Sequence, residues 1–185
     1  MDYATFTAGG TSPYVEIYFS FVGNSLDWNI GDNGQYQSAV DVLISISQGD
    51  SVVYLDRYKL SGPSIADTTG TIDNFLDLQR IPMSNGNYNM YVEVSDVHNP
   101  ESSLSSTIPL KVDYEADLAR FSDIQLVERY EKSTAPSVIT KSGYDLIPLL
   151  PFYSYYYPGE VSEMHFYAEL YHMDEKLGAD QPYFI

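Results

Sequence analysis

The fold class is decided by one stretch of the chain, Pro13-Tyr14-Val15-Glu16-Ile17-Tyr18-Phe19-Ser20-Phe21-Val22. Its apolar residues recur at every second position, with Glu16, Tyr18 and Ser20 between them. Successive side chains of a β-strand point to opposite faces, so this period predicts a strand with one face toward a core and a mixed face outward. The same period returns at residues 36–47 and 87–97.

Strands and turns alternate through the first part of the chain. Strands are predicted near residues 13–22, 36–47, 51–60, 72–81, 87–97 and 106–113. The segment Gln48–Ser51 is typical of a hairpin turn because Gly and Asp tolerate the backbone angles of tight turns. Tyr88 follows the turn at Asn85-Gly86 and is predicted to be a buried corner residue of the immunoglobulin-like type. Short strands separated by turns favour a β-sandwich.

A second β module is predicted after the acidic break Asp113-Tyr114-Glu115-Ala116-Asp117. The alternation restarts within residues 124–130, returns at Tyr144–Leu150 and returns again from Met164 to Leu170. The sequence therefore predicts an all-β protein of two consecutive antiparallel β-sandwich modules of immunoglobulin-like type.

The predicted module boundaries are 1–113 and 114–185. The second module has only about 70 residues, which is near the lower limit for an independent core. It ends on the apolar tail Tyr183-Phe184-Ile185, whereas chain ends are more often polar and frayed. We therefore expect the second module to be incomplete and the chain to belong to a longer protein.

The charge balance excludes several classes of partner. The chain has 185 residues and a formal net charge of −17, from 26 acidic and 9 basic side chains. Binding to nucleic acid or to anionic lipid needs clustered Lys and Arg, so neither partner is predicted. No stretch approaches the roughly 18 apolar residues of a membrane helix, so no membrane insertion is predicted. The absence of Cys excludes disulfides, thiolate catalysis and Cys-ligated zinc.

Several segments resemble the N-terminal region of the exported Bacteroidetes proteins that are named for a Gly-Trp-x-Thr-Asp (GWxTD) motif. The similar segments are Asp2–Phe6, Ser12–Tyr18, Asn74–Arg80, Phe121–Leu126 and Thr140–Pro148. The namesake motif is absent, because the single Trp28 is preceded by Asp27. The resemblance implies the front half of such a protein, with a periplasmic or cell-surface location. It carries over no functional residues.

A leader peptide is expected to be missing from this chain. The chain opens Met1-Asp2-Tyr3-Ala4, without the basic start and apolar run of a signal sequence.

No metal site is predicted. The loop Asp27–Asn33 offers oxygen ligands, but its spacing lacks the bidentate Glu of a calcium loop, and a solvated hairpin explains it equally well. His165 and His172 are seven positions apart on one predicted strand, so they are expected to face opposite sides. His98 lies in a predicted turn.

No catalytic residue and no cofactor are predicted. The chain has no Gly-x-Ser-x-Gly elbow for a nucleophilic triad. Gly9-Gly10 is isolated and opens no phosphate-binding helix. Carboxylates are so abundant that pairs such as Glu160 and Glu163 are expected by chance.

A tyrosine-rich tract, Pro151–Gly159, is the most distinctive feature. We predict that its aromatic residues form a partner-binding surface: Phe152, Tyr153, Tyr155, Tyr156 and Tyr157. Aromatic faces stack on sugar rings and anchor protein interfaces. The alternative is that these rings pack at the junction between the modules.

The predicted function is a non-catalytic binding or scaffold segment of an exported protein, which contacts a protein or glycan partner through Tyr-rich loops and strand edges. One such partner is the missing C-terminal domain of a longer chain. The alternative is a carbohydrate-active or calcium-dependent enzyme domain with an acidic cleft. An enzyme needs a pocket with convergent carboxylates of split pKa, whereas a scaffold has shallow surfaces.

Overall fold

The computed structural model describes residues 1–115, 118–150 and 163–180, and these residues form antiparallel β-sheets. The strands of the first part are β1 (Asp2–Ala8), β2 (Ser12–Phe21), β3 (Asn29–Ile30), β4 (Tyr36–Gln37), β5 (Ala39–Gln48), β6 (Ser51–Ser61), β7 (Phe75–Pro82), β8 (Gly86–Asp96) and β9 (Ser103–Val112). They are followed by β10 (Arg120–Phe121), β11 (Gln125–Lys132), β12 (Thr140–Lys141), β13 (Tyr144–Pro148), β14 (His165–Tyr167), β15 (Leu170–Tyr171) and the short helix α1 (Met173–Leu177). The all-β prediction is confirmed, and the immunoglobulin-like arrangement stays a prediction.

The predicted strands of the first part match β2, β5, β6, β7, β8 and β9 to within three residues at each end. The predicted hairpin is confirmed, because Gln48 pairs with Ser51 around a Gly49 with a φ of 58°. That left-handed backbone angle is one that glycine adopts without strain. Strand β1 is not predicted by the alternation, and it pairs with β2 from Asp2 to Ala8.

One compact unit, unit 2, comprises Ser20–Leu76 and Gly86–Lys111. Its four-stranded sheet has the order β6-β5-β8-β9. Four alternate residues of β5 are fully buried: Val40, Val42, Ile44 and Ile46. Met90 of β8 is fully buried in the same unit. Tyr88 is buried near the start of β8, which confirms the predicted burial of this residue.

The other compact unit, unit 1, comprises Met1–Phe19, Asp77–Asn85 and Val112–Ile185. It holds β1 and most of β2 and β7, which form one sheet in the order β1-β2-β7. It also holds a four-stranded sheet of order β12-β13-β11-β14 and the pair β10-β15. Its core is built on Ala4, Phe6 and Tyr18.

Hydrogen bonds across more than a hundred positions of sequence explain why unit 1 is discontinuous. The Thr5 amide and hydroxyl both donate to the Asp123 carboxylate, at 2.8 and 2.6 Å. The Tyr114 hydroxyl donates to the Thr5 carbonyl at 2.6 Å. This grouping differs from the linear division at residue 113, because the N-terminal strand packs with the segment after the acidic break. The division into modules 1–113 and 114–185 stays a prediction.

The prediction that Glu16 and Tyr18 lie on an outward face of β2 is wrong. Glu16 and Tyr18 are buried, with 0% and 2% of their surfaces exposed, as are Val15, Ile17 and Phe19. Both faces of the strand are therefore covered in its middle. The cover for Glu16 includes Lys141, which lies far along the sequence and is not visible to a local pattern.

Candidate functional site

An open groove lies on the sheet formed by β11, β13 and β14 in unit 1, with a cavity volume of about 340 Å³. Buried Val127 and Leu146 form its base. The large side chains around them are Tyr130, Tyr144, Met164, His165, Phe166 and Tyr167. We call this surface the aromatic groove.

The aromatic groove exposes large apolar side chains to solvent. Phe166 is 61% exposed, Met164 60%, Tyr130 56% and Tyr144 45%. Single exposed apolar residues are ordinary on protein surfaces, but a contiguous group marks an interaction site. The groove is therefore the strongest candidate for a binding surface among the described residues.

The rings of the groove stand nearly perpendicular to one another. Tyr130 meets Tyr144 at 74° with 6.0 Å between ring centroids, and it meets His165 at 87° and 5.4 Å. Edge-to-face contacts of this kind are favourable because the positive edge of one ring meets the negative face of the other. These contacts fix the Tyr130 ring between Tyr144 and His165 at the side of the groove.

A β-bulge in β11 brings Val127 and Tyr130 onto one face. Val127 pairs with Pro148 and Arg129 with Ile147, so the register shifts by one residue between Val127 and Arg129. Strict alternation would place Val127 and Tyr130 on opposite faces, because they are three positions apart. The extra residue of the bulge reverses this, and both side chains line the groove.

The lining of the aromatic groove is almost free of charge. None of its described lining residues is an Asp, a Glu, a Lys or an Arg. The Nε2 atom of His165 lies 3.4 Å from the carboxylate of the exposed Glu163. His165 and His172 are not on one strand as predicted, because β14 ends at Tyr167 and His172 follows β15. The strand is interrupted between Tyr167 and Leu170, and the alternation of the sequence does not show this interruption.

A buried ionic cluster lies in the same unit. The Glu16 carboxylate accepts from Arg80 Nε at 2.6 Å, from Lys141 Nζ at 2.6 Å and from the Tyr18 hydroxyl at 2.5 Å. We call these four residues the Glu16 cluster. The Glu16 side chain is 0% exposed and the Lys141 side chain 6%, whereas Arg80 reaches solvent at 40%. A buried charge is tolerated only when paired and hydrogen-bonded, and Glu16 meets that condition.

Lys141 is held by ring faces as well as by charge. Its Nζ lies 3.3 Å from the centroid of Phe6 and 5.2 Å from that of Tyr167, and it donates to the Gln125 side chain at 3.2 Å. Burial lowers the pKa of Lys141, and the nearby Glu16 carboxylate opposes that shift. Cation–π contacts gain strength when the cation is removed from water.

Tyr167 connects the Glu16 cluster with the aromatic groove. It lines the groove, and its ring faces Phe6 and Lys141. Its hydroxyl donates to Glu169 at 2.8 Å and lies 3.0 Å from the Ser142 hydroxyl. Burial raises the pKa of Tyr167 to about 12, with the Glu169 hydrogen bond acting in the same direction. The cluster therefore fixes one wall of the groove.

A second recess of unit 1, about 500 Å³ in volume, is acidic. Glu169, Asp174 and Glu175 line it, together with His172. Glu169 already accepts from two tyrosine hydroxyls, and the Glu175 carboxylate lies 3.1 Å from His172 Nδ1. His172 Nε2 lies 3.0 Å from the Gly10 carbonyl. Glu169, Glu175 and His172 are therefore each engaged in contacts within the unit.

Two further segments were considered as sites from the sequence: the loop Asp27–Asn33 and the tract Pro151–Gly159. The segment Asp27–Asn33 contains β3 and precedes β4, its hairpin partner. The Asn29 side-chain amide nitrogen lies 2.9 Å from His98 Nδ1, and the Asn33 side chain accepts from the Gln35 backbone amide. Within the described ranges, no group of three or more His, Asp or Glu side chains is arranged to hold a metal ion. The tract Pro151–Gly159, with Phe152, Tyr153, Tyr155, Tyr156 and Tyr157, lies outside the described residues.

The described residues form an all-β protein with an exposed aromatic groove. No protein-family model, no curated protein and no solved structure matches this chain. In the part of the chain that the structure describes, no helix has the length and apolar character to cross a membrane.

Proposed function

We propose that this chain is a non-catalytic binding segment that holds a neutral glycan in the aromatic groove. The observation that carries the proposal is the group of exposed rings, Tyr130, Tyr144 and Phe166, around an uncharged concave surface. Binding sites are commonly concave and lined by aromatic side chains with a few polar groups for orientation. The Tyr hydroxyls and the His165 imidazole supply such groups.

A glycan suits this groove better than a protein surface does. The rings stand at steep angles to one another, so they offer separate faces on which the C–H faces of sugar rings can pack, rather than one flat patch. The net charge of −17 makes an anionic ligand unfavourable, and the lining provides no cation to offset it. A neutral sugar meets both conditions.

The tyrosine-rich tract is proposed to extend this binding surface. In the chain, Pro151–Gly159 connects β13 to β14, and both strands contribute to the aromatic groove. Tyr side chains lose little rotamer entropy on docking and keep a hydroxyl for a polar partner. An exported, periplasmic or cell-surface location is part of the proposal and is supported by the family resemblance alone.

The test is a screen of neutral oligosaccharides on a glycan array, followed by titration of the best ligand. Tyr130→Ala and Phe166→Ala are expected to weaken binding at least tenfold, because each removes one stacking face. Phe121→Ala is the matched control, since Phe121 is 52% exposed and lies outside the groove. Circular dichroism checks that each variant is folded.

Two results would overturn the proposal. One is the absence of any neutral glycan ligand. The other is a glycan whose affinity is unchanged in both groove variants. If a protein binds through the aromatic groove and no glycan does, the ligand of the groove is a protein and the glycan proposal is wrong.

A further inference from the structure

The acidic recess of unit 1 shares no lining residue with the aromatic groove. It is lined by the end of β1, by the turn that joins β1 to β2, and by residues 169–175 of β15 and α1. Its carboxylates are Glu169, Asp174 and Glu175. Its volume of about 500 Å³ is that of a site for a small organic molecule.

Thr7 brings a polar group without a partner to this recess. The residue lines the recess but is only 2% exposed. Its hydroxyl oxygen makes no hydrogen bond to any part of the chain that the structure describes. An unpaired buried hydroxyl is costly, and nearly all such groups in proteins are satisfied by protein, water or a ligand. The recess is the space from which a ligand reaches Thr7.

Two hydrogen bonds connect Thr7 to the Glu169 carboxylate. The Thr7 backbone amide donates to the Tyr171 hydroxyl at 3.1 Å, and that hydroxyl donates to Glu169 Oε2 at 2.6 Å. The Tyr167 hydroxyl donates to Glu169 Oε1 at 2.8 Å. Both donors to Glu169 are neutral, so they orient the carboxylate without cancelling its charge. A fixed carboxylate and an unpaired hydroxyl therefore lie close together in the recess.

His172 fixes the turn between β1 and β2 against the recess. Its Nε2 lies 3.0 Å from the Gly10 carbonyl, and its Nδ1 lies 3.1 Å from the Glu175 carboxylate. A Cβ atom added to Gly10 would lie 2.9 Å from the His172 ring, so the turn packs directly on the imidazole. Glu175 is engaged by His172 in this way, whereas Asp174 is exposed and faces solvent.

The lining favours a cation that carries several N–H donors. Carboxylates in a protein of net charge −17 attract cations and repel anions. Within the described ranges, no three acidic or histidine side chains are arranged to hold a metal ion. A guanidinium binds a carboxylate best through both oxygens, and both Glu169 oxygens already accept from tyrosines. A primary ammonium donates three separate hydrogen bonds and needs only one acceptor atom for each.

We propose that the acidic recess binds a primary alkylammonium group, which donates to the Thr7 hydroxyl and to the carboxylates of Glu169 and Asp174. Leu170 and Met173 also line the recess and offer apolar contact to the alkyl chain. The ammonium belongs either to a free diamine or to the lysine side chain of a peptide. Both sources present the same charged head on the same kind of chain.

Isothermal titration calorimetry tests the chemistry of the ligand. Cadaverine and Nα-acetyl-lysine amide carry the ammonium, and pentanediol is the neutral analogue of cadaverine with hydroxyls in place of the amines. Binding of cadaverine alone indicates a free amine, and binding of the lysine derivative indicates a peptide. Pentanediol is expected not to bind, because it has no charge for the carboxylates.

Thr7→Val removes the hydroxyl and keeps the shape of the side chain. It should weaken amine binding about tenfold, which is the effect of one hydrogen bond to a charged group. The urea midpoint should stay unchanged or rise, because the substitution breaks no hydrogen bond within the described chain. A purely structural role for Thr7 would not give weaker binding together with undiminished stability.

Asp174→Asn should weaken amine binding severalfold by removing one carboxylate of the recess. Asp32→Asn is the matched control, because it removes an exposed charge in unit 2 and should leave binding unchanged. The proposal is overturned if neither amine binds at millimolar concentration, or if pentanediol binds as tightly as cadaverine. It is also overturned if Thr7→Val binds the amines as tightly as the parent chain, or if the two Asp variants weaken binding equally.

Discussion

Strands β2 and β5 have the same length and the same alternating pattern, but they are buried in different ways. In β5 every second residue is buried and the residues between, such as Asp41, are half-buried. In β2 five consecutive residues are buried, Val15 to Phe19, and one of them is the charged Glu16. The difference teaches that alternation predicts one buried face and says nothing about what covers the other.

The two strands therefore depend on different interactions. The core face of β5 is aliphatic, and the Asp41–Arg57 ion pair on its other face is solvated, with 31% and 66% of the two side chains exposed. The second face of β2 depends on the Glu16 cluster, in which removal of one partner leaves a charge in the interior. Exposed pairs contribute little, whereas breaking a buried pair is costly.

The largest effect is expected for Glu16→Ala. Lys141 would remain buried against Phe6 without its counter-ion, and this should lower the free energy of unfolding by about 3–5 kcal/mol. Urea unfolding followed by far-UV circular dichroism measures the change. A loss below about 1 kcal/mol would mean that the pair contributes no more than a surface ion pair does.

The second effect is a loss of stability at alkaline pH. The pKa of Tyr167 is raised from 10.0 to about 12 by burial, so between these pH values the unfolded chain loses a proton that the folded chain keeps. Stability from this group is complete below pH 10 and is lost as the pH rises toward 12. Burial also raises the pKa of Tyr18.

Urea midpoints measured across this pH range test the prediction, with Tyr167→Phe as the matched variant. The variant should show a shallower fall. The lowered pKa of Lys141 acts in the opposite direction just below 10.5, because there the unfolded chain holds the extra proton. An identical pH profile for the variant and the parent chain would contradict the proposed burial of Tyr167.

A smaller effect is expected for Ile44→Val in the core of β5. Removal of one buried methylene group should cost about 0.5–1.5 kcal/mol. The measurement is again urea unfolding. An effect as large as that of Glu16→Ala would remove the contrast between the two strands.

The smallest effect is expected for Asp41→Ala. The Arg57 guanidinium is largely solvated, so the loss of its partner should cost about 0.2–1 kcal/mol. Added salt should reduce even this difference, because exposed charges are screened. A salt-independent loss of several kcal/mol would show that the pair is not a surface pair.

The strands of unit 2 are predictable from the sequence because the alternation of apolar residues and the turn residues both lie next to the strands they define. The alternation of β5 and the turn at Gly49 lie within a few residues of the elements they define. The partners of Glu16 are Arg80 and Lys141, which are 64 and 125 positions away, and no local pattern shows that they converge. The charge at position 16 suggested an exposed face, and the long-range partners reversed that inference.

The aromatic groove was only partly visible in the sequence. Tyr130 and Tyr144 lie in predicted strands, but their common face depends on the bulge between Val127 and Arg129. Strict alternation leaves Tyr130 on the wrong side, and a bulge has no reliable sequence signal in this stretch. The predicted Tyr-rich tract, Pro151–Gly159, lies outside the described residues, so a binding surface there stays a prediction, and the sequence did not locate the aromatic groove.

The most direct test of the contrast is a pair of double-mutant cycles. One cycle combines Glu16→Ala with Lys141→Ala, and the other combines Asp41→Ala with Arg57→Ala. Each cycle isolates the free energy of coupling between its two side chains. We predict a coupling of about 1–3 kcal/mol for the buried pair and below about 1 kcal/mol for the exposed pair. Equal couplings in the two cycles would contradict the claim that the second face of β2 is held by a buried ion pair.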